Sequence, residues 1–78
     1  MEQLLTTIAR ELVDNPGEVR VTVDAPDAEG VVVYHLRVAE GDMGKVIGRQ
    51  GRIAKAIRTV MRSVAMRNNE KIMVEIDD

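Results

Sequence analysis

Two glycines three residues apart interrupt a helical pattern in the one long acid-free stretch of this chain. Gly48 and Gly51 lie between apolar residues in the segment Val46-Ile47-Gly48-Arg49-Gln50-Gly51-Arg52-Ile53. Glycine adopts backbone dihedrals that are barred to other residues, and it lets a ligand approach the main chain closely. A helix that follows such a turn offers unpaired N–H groups and a positive dipole end to an anion. The segment therefore predicts a tight turn between two helices that is suited to phosphate.

The charged residues are segregated along the chain. The formal net charge is −2, yet all 13 acidic residues lie outside residues 43–69. That stretch, which we call the basic block, holds most of the 11 basic residues, namely Lys45, Arg49, Arg52, Lys55, Arg58, Arg62 and Arg67. A concentrated basic surface indicates a polyanionic ligand such as nucleic acid. For Lys55, Arg58 and Arg62, a role in binding and a plain solvated helix face are both open, with Lys55 nearest the turn.

Length and composition limit the class of protein. A chain of 78 residues with 45% apolar residues is expected to form one globular domain, residues 1–78. It has no cysteine, so neither a disulfide framework nor a thiolate metal site is available. The sequence shows no signal peptide and no apolar run long enough to span a bilayer. We therefore expect a cytoplasmic protein without membrane association.

Hydrophobic periodicity predicts six elements in the order α-β-β-α-α-β. Helix ends are marked by Asn15-Pro16-Gly17 and by Asn68-Asn69, and Gly41-Asp42 is interpreted as the end of the second strand. The expected elements are a helix over residues 2–14, strands Val19–Val23 and Val31–Val38, a short helix Met43–Ile47 with Asp42 as N-cap, a helix over residues 52–67, and a strand Ile72–Ile76. The order predicts an α+β fold, a two-layer sandwich with helices on one face of a three-stranded sheet. Periodicity does not reveal the strand order.

The segment around the two glycines resembles the signature of a KH domain, and the element order resembles the prokaryotic, or type II, form of that fold. Over almost its whole length the chain is similar to the small bacterial stand-alone KH proteins of the KhpA (YlqC) family. The resemblance implies binding of single-stranded RNA, a cytoplasmic setting, homodimerisation and a larger KH-containing partner of the KhpB (Jag or EloR) type. It also implies a role as RNA chaperone or post-transcriptional regulator, linked to cell division and cell shape.

KH modules clamp about four nucleotides against a Gly-x-x-Gly turn. We expect the bases to lie in a groove toward the Val31–Val38 strand, with an apolar floor drawn from Val46, Ile47, Ile53, Ala54 and residues of that strand. Tyr34 is the single aromatic residue, so affinity should come from the RNA backbone rather than from stacking. The expected RNA contacts are Lys45, Val46, Ile47, Gly48, Arg49, Gln50, Gly51, Arg52, Ile53 and Lys55.

A wide apolar stripe on the long helix suggests a second surface. It consists of Ile57, Val60, Met61 and Val64, and part of it is expected to form a dimer interface. The main alternative to an RNA-binding protein is therefore a dimerisation scaffold in which RNA binding is secondary. A DNA-reading helix is a weaker alternative, because three strands have no place in a simple helix-turn-helix.

An enzyme acting on a phosphorylated small molecule is the least favoured class. A P-loop requires Gly-Lys-Ser/Thr at its end, whereas Gly51 is followed by Arg52-Ile53. The chain has one histidine and no cysteine, and its carboxylates lie away from the turn in sequence. We expect no catalytic residues, no cofactor and no metal site, and we assign no role to His35.

Overall fold

The computed structural model describes residues 1–77, apart from the side chain of Arg49. Gln50 and Gly51 have φ values of 63° and 68°, which no straight α-helix contains, so helix α2 consists of a first arm, residues 40–49, and a second arm, residues 52–67. With the arms counted separately the order is α-β-β-α-α-β, and the predicted α+β, type II KH fold class is confirmed. The elements are α1 (Glu2–Leu12), a 3₁₀ turn (Pro16–Glu18), β1 (Arg20–Val23), β2 (Val31–Arg37), α2 (Glu40–Arg67) and β3 (Lys71–Asp77).

The three strands form one mixed sheet in the order β1-β2-β3. Strand β2 is central, antiparallel to β1 and parallel to β3, so Tyr34 lies opposite Val23 on one side and Val74 on the other. Strand β2 is therefore hydrogen-bonded along both of its edges. A parallel pair needs a long crossover connection, which α2 supplies.

Both helices cover the same face of the sheet. Tyr34 and Leu36 of β2 are buried beneath them, because alternate residues of a strand point to the same side. Both arms of α2 contribute to this core, the first through Val46 and the second through Ile57 and Met61. The whole buried cluster is Leu5, Ala9, Val19, Tyr34, Leu36, Val38, Val46, Ala54, Ile57, Met61 and Val74.

The start of α2 differs from the prediction. The helix begins at Glu40 after Ala39, so the assignment of Asp42 as N-cap is wrong, and Gly41 lies inside the helix rather than at a strand end. The physical reason is a longer-range contact that involves the side chain of Asp42. Its carboxylate accepts hydrogen bonds from the backbone N–H groups of Asp14 and Asn15, at 3.1 and 3.0 Å. Those two groups follow the end of α1, which stops at Leu12 instead of residue 14.

His35 lies on the sheet face away from the helices, where three carboxylates surround it. Its Nε2 is 2.8 Å from Asp24, and its Nδ1 is 3.1 Å from Asp77 and 3.7 Å from Glu75. A neutral imidazole has one N–H, so only the protonated ring can donate to carboxylates on both sides. The hydrogen bond with Asp24 raises the pKa of His35 above 6.5 despite opposing desolvation, and the charges of Asp24, Asp77 and Glu75 raise it further.

This ion cluster predicts a pH dependence of stability. The folded-state pKa is raised, so the contribution of His35 is fully present below the unfolded pKa of 6.5 and disappears as pH rises through the folded value. The free energy of unfolding of the wild type should therefore fall from about pH 6 to about pH 8 relative to that of His35→Gln. Urea unfolding at several pH values measures this difference. Parallel pH profiles for the two proteins would show that the cluster does not stabilise the fold.

Candidate nucleic-acid interface

The turn between the arms of α2 consists of two consecutive residues in the left-handed region. Gly51 adopts φ 68° without a side chain to resist it, whereas Gln50 adopts φ 63° at a cost of roughly 1–2 kcal/mol. Gln50 is exposed and Gly51 is half-buried. The sequence identified this turn correctly, because a glycine at the second of its two positions is what the left-handed conformation favours.

A groove of about 440 Å³ lies beside the turn, and it is lined by residues of both arms. Gly44 and Gly48 are one helical turn apart on the first arm, and nothing lies within 4 Å of where a Cβ would be at either position. Their bare backbone forms one wall, next to Lys45. Arg52 and Ile53 of the second arm form the other. A groove with exposed main chain between two cations has the chemistry to hold a phosphodiester backbone.

Most of the residues predicted to contact RNA or to form the groove floor are accessible, but two apolar ones are not. Val46 is fully buried and Ala54 is 5% exposed, so both belong to the core and cannot form the floor of a groove. Ile53 is half-buried and lines the groove, and Ile47 is 49% exposed. The remaining predicted contacts with described side chains, Lys45, Gln50, Arg52 and Lys55, are exposed, while the side chain of Arg49 lies outside the described residues.

Sequence reasoning missed Gly44, and no described residue of β2 lines the groove. The Gly41-Asp42-Met43-Gly44 segment was interpreted as a strand end, whereas Gly44 faces the groove from within a helix. Strand β2 was expected at the groove, but it is the central strand and its helix-facing side is covered. The edge strand next to the second arm is β3. The spacing of four residues between Gly44 and Gly48, which places them on one face of a helix, was the signal available in the sequence.

The basic block extends from the turn to the edge of β3. Lys55, Arg58 and Arg62 recur at i, i+3 and i+7, so they share one face of the second arm. The Nε of Arg58 donates to the backbone carbonyl of Val74 in β3 at 3.1 Å. A shallow groove of about 400 Å³ lies at this junction, lined by Arg58, Arg62, Ile72, Met73, Val74 and Glu75. The basic face therefore leads away from the turn to a strand edge.

Two acidic residues lie beside the start of the basic block. The Nζ of Lys45 is 3.1 Å from a carboxylate oxygen of Asp14, and both side chains are largely exposed. Asp42 is 1% exposed and accepts three hydrogen bonds, two from backbone N–H groups and one from the amide of Asn15 at 3.2 Å. Desolvation alone would raise the pKa of Asp42, but the N–H groups of Asp14 and Asn15, the Asn15 amide and the charge of Lys45 together lower it.

The proposed dimer residues do not lie on one surface. Ile57 and Met61 are 1% and 0% exposed, so they belong to the chain's own core and are not available to a partner. Val60 is 43% exposed and Val64 is half-buried. The prediction of a single dimer surface was wrong because the apolar residues of the stripe span two neighbouring faces of the helix, one toward the core and one toward solvent. On the solvent side Val60 is accompanied by the exposed, uncharged residues Ala56, Thr59 and Ser63.

The ring of His35 and the carboxylates of Glu75 and Asp77 also bring three potential metal ligands within 4.8 Å of one another. A protonated ring accounts for the short contacts without a metal, so we assign no metal there.

None of the helices within residues 1–77 is both long and apolar enough to cross a bilayer.

Comparison with known proteins places the chain among bacterial KH proteins. A family model described as KhpA/KhpB, KH domain, matches residues 2–76. The "RNA-binding protein KhpA" of Clostridium acetobutylicum is 54% identical over 76 residues, which is 97% of this chain and 99% of the relative. Proteins of the same name from Listeria monocytogenes and Treponema pallidum are 47% and 48% identical, covering 97% and 99% of this chain and 97% and 94% of their own lengths. No solved structure matches the chain significantly.

The left-handed turn predicts opposite effects for one chemical change at two glycines. Gly51→Ala places a Cβ at positive φ and should lower the free energy of unfolding by about 1–2 kcal/mol. Gly44→Ala introduces a better helix former into open space within the first arm and should raise it by about 1 kcal/mol. Urea unfolding of the two variants measures both effects. Equal effects in the two variants would contradict the assigned break in α2.

Proposed function

Because the chain belongs to the KhpA/KhpB family of KH domains, we propose that it binds single-stranded RNA at the turn between the two arms of α2. The observation that carries this proposal is the groove whose bare wall is Gly44 and Gly48 and whose flanks are Lys45 and Arg52. An RNA backbone can approach the main chain closely there, and its phosphates meet a cation on each side. The name of the relatives, RNA-binding protein, supports the choice of ligand.

The RNA would run from the turn along the basic face of the second arm. Phosphates would lie near Lys45 and Arg52, and the next nucleotides would follow Lys55 and Arg62 toward the edge of β3. Arg62 is seven positions after Lys55 on the helix, a rise of about 10 Å, which suits a segment of a few nucleotides. Tyr34 is 7% exposed and cannot stack on a base, so contacts to the RNA backbone would dominate affinity.

The cellular role proposed by resemblance is that of a cytoplasmic RNA chaperone or post-transcriptional regulator. The family resemblance also suggests a link to cell division and cell shape, exercised with a KhpB-type partner. Support from the comparisons is limited to the family itself, whose model covers both KhpA and KhpB. Isolating RNA and protein crosslinked to this chain in cells would test the ligand and the partner together.

Salt dependence tests the proposed site. Each phosphate contact on a single strand contributes about −0.7 to the slope of log K against log salt, so three or four contacts give roughly −2 to −3. Arg52→Ala should weaken binding of a short oligouridine and reduce the magnitude of the slope by about 0.7. Arg10→Ala is the matched control, because Arg10 is an exposed arginine on α1 outside the basic block.

Fluorescence anisotropy across a salt series provides the measurement. Equal losses of RNA affinity from Arg52→Ala and Arg10→Ala would show that the basic block is only a solvated surface. A slope near zero in the wild type would exclude phosphate-led binding altogether.

A second candidate function, a dimerisation scaffold, is favoured by the uncharged exposed face of the second arm. Val60, 43% exposed, is the largest apolar side chain among Ala56, Thr59 and Ser63. This face is separate from the basic face, so a homodimer formed through it would leave the turn accessible to RNA. The two candidate functions are compatible.

Val60→Asp tests this assembly. A charge placed in a buried seam without a partner should convert the dimer to a monomer, and the exposure of Val60 within one chain means that the variant should stay folded. Val23→Asp is the matched control, since Val23 is 39% exposed on β1, and it should leave the dimer intact. Light scattering measures the mass, and circular dichroism verifies folding. A folded Val60→Asp dimer would exclude this face as the interface.

A further inference from the structure

Lys45 has two different anions available to it if the chain binds RNA as proposed. Lys45 lines the groove beside Gly44 and Gly48, where a phosphate would lie. Its ammonium is 3.1 Å from the carboxylate of Asp14. Among the described side chains of the basic block, Lys45 is the one that forms an ion pair with a carboxylate. The pair is brought together by the fold, because its partners are 31 residues apart.

The backbone of Asp14 is held in place beside Lys45. Its backbone N–H donates to the buried carboxylate of Asp42 at 3.1 Å, and the next residue, Asn15, donates to the same carboxylate twice. Asp42 lies in the first arm of α2, three residues before Lys45. The segment after α1 is thereby fixed against the arm that holds Lys45. The side chain of Asp14 itself remains 75% exposed, so it can leave the ammonium without unfolding anything.

We propose that Asp14 is a built-in competitor for RNA phosphate at Lys45, an acidic gate on one wall of the groove. A phosphate that binds Lys45 has to displace the carboxylate or accept a like charge beside it, and either event weakens binding. Ligands that also reach Arg52 across the groove overcome this loss, whereas polyanions that touch only the wall at Lys45 do not. The gate therefore disfavours weak, partial contacts. The inference rests on the proposed RNA site and identifies a residue that regulates it.

A double-mutant cycle tests the gate. Asp14→Asn keeps the size of the side chain and the backbone N–H that Asp42 accepts, and it removes the competing charge. With Lys45 present, this change should raise the affinity for a short oligouridine about two- to five-fold at low salt, which corresponds to the energy of an exposed ion pair. In a Lys45→Met background it should have almost no effect. The gain should also disappear at high salt, because exposed charges are then screened.

Glu11→Gln is the matched control for charge alone. Glu11 is an exposed acid near the end of α1, three residues before Asp14, so its replacement removes the same charge from a neighbouring position. The inference predicts a clear gain in RNA affinity from Asp14→Asn and a small gain from Glu11→Gln. Only the gain from Asp14→Asn should depend on Lys45. Equal gains from both variants, or the same gain with and without Lys45, would overturn the gate. Weaker binding by Asp14→Asn would overturn it too, since Asp14 would then be positioning Lys45 for phosphate.

Arg52→Ala in the same assay separates the gate from the site. If Arg52→Ala weakens binding and Asp14→Asn is neutral, the gate is wrong and the RNA site stands. If the wild type does not bind, or if Arg52→Ala is neutral, the site is wrong and the gate is excluded with it. Unfolding curves of every variant ensure that each comparison is between folded proteins.

Discussion

The left-handed backbone at Gln50 and Gly51 is the constraint on which the rest of this structure depends. A straight helix of 28 residues would be about 42 Å long, which exceeds the 35 Å longest dimension of the molecule. The break lets Val46 of the first arm and Met61 of the second enter one core beneath the sheet. It also leaves the backbone of both arms accessible at the point where they meet. One local conformation therefore determines both the packing and the position of the candidate site.

Three faces of the second arm of α2 have different surroundings and different proposed roles. Ile57 and Met61 face the core, Lys55 and Arg62 form the basic face, and Val60 lies on an uncharged face toward solvent. This division explains how a chain with a net charge of −2 can present a basic surface to a polyanion. The acids are elsewhere in sequence, and the fold brings Asp14 next to Lys45 and Glu75 to the groove that Arg58 and Arg62 line. The residues next to the other cations in sequence carry no negative charge that would repel a polyanion.

The element order and the turn could be predicted because their signals are local. Glycine spacing, apolar periodicity and the Asn15-Pro16 break each report on a few neighbouring residues. The role of Asp42 could not be predicted, because its hydrogen-bond partners lie 27 and 28 residues away. Strand order was equally hidden, since alternation records which face of a strand is buried and not which strand lies beside it. The assignment of Ile57 and Met61 to a dimer interface failed for the same reason. An apolar stripe indicates that a helix face is buried, but it does not indicate whether the same chain or a partner covers that face.

Amide chemical shifts of ¹⁵N-labelled protein titrated with short single-stranded RNA test the central claim most directly, since they locate the ligand residue by residue. The account predicts that the largest changes fall on residues 44–53, with smaller changes along the second arm to Arg62 and at the edge of β3. The amides around His35, on the opposite face of the sheet, should change little. Changes concentrated on that open sheet face, with the turn unaffected, would contradict the proposed site.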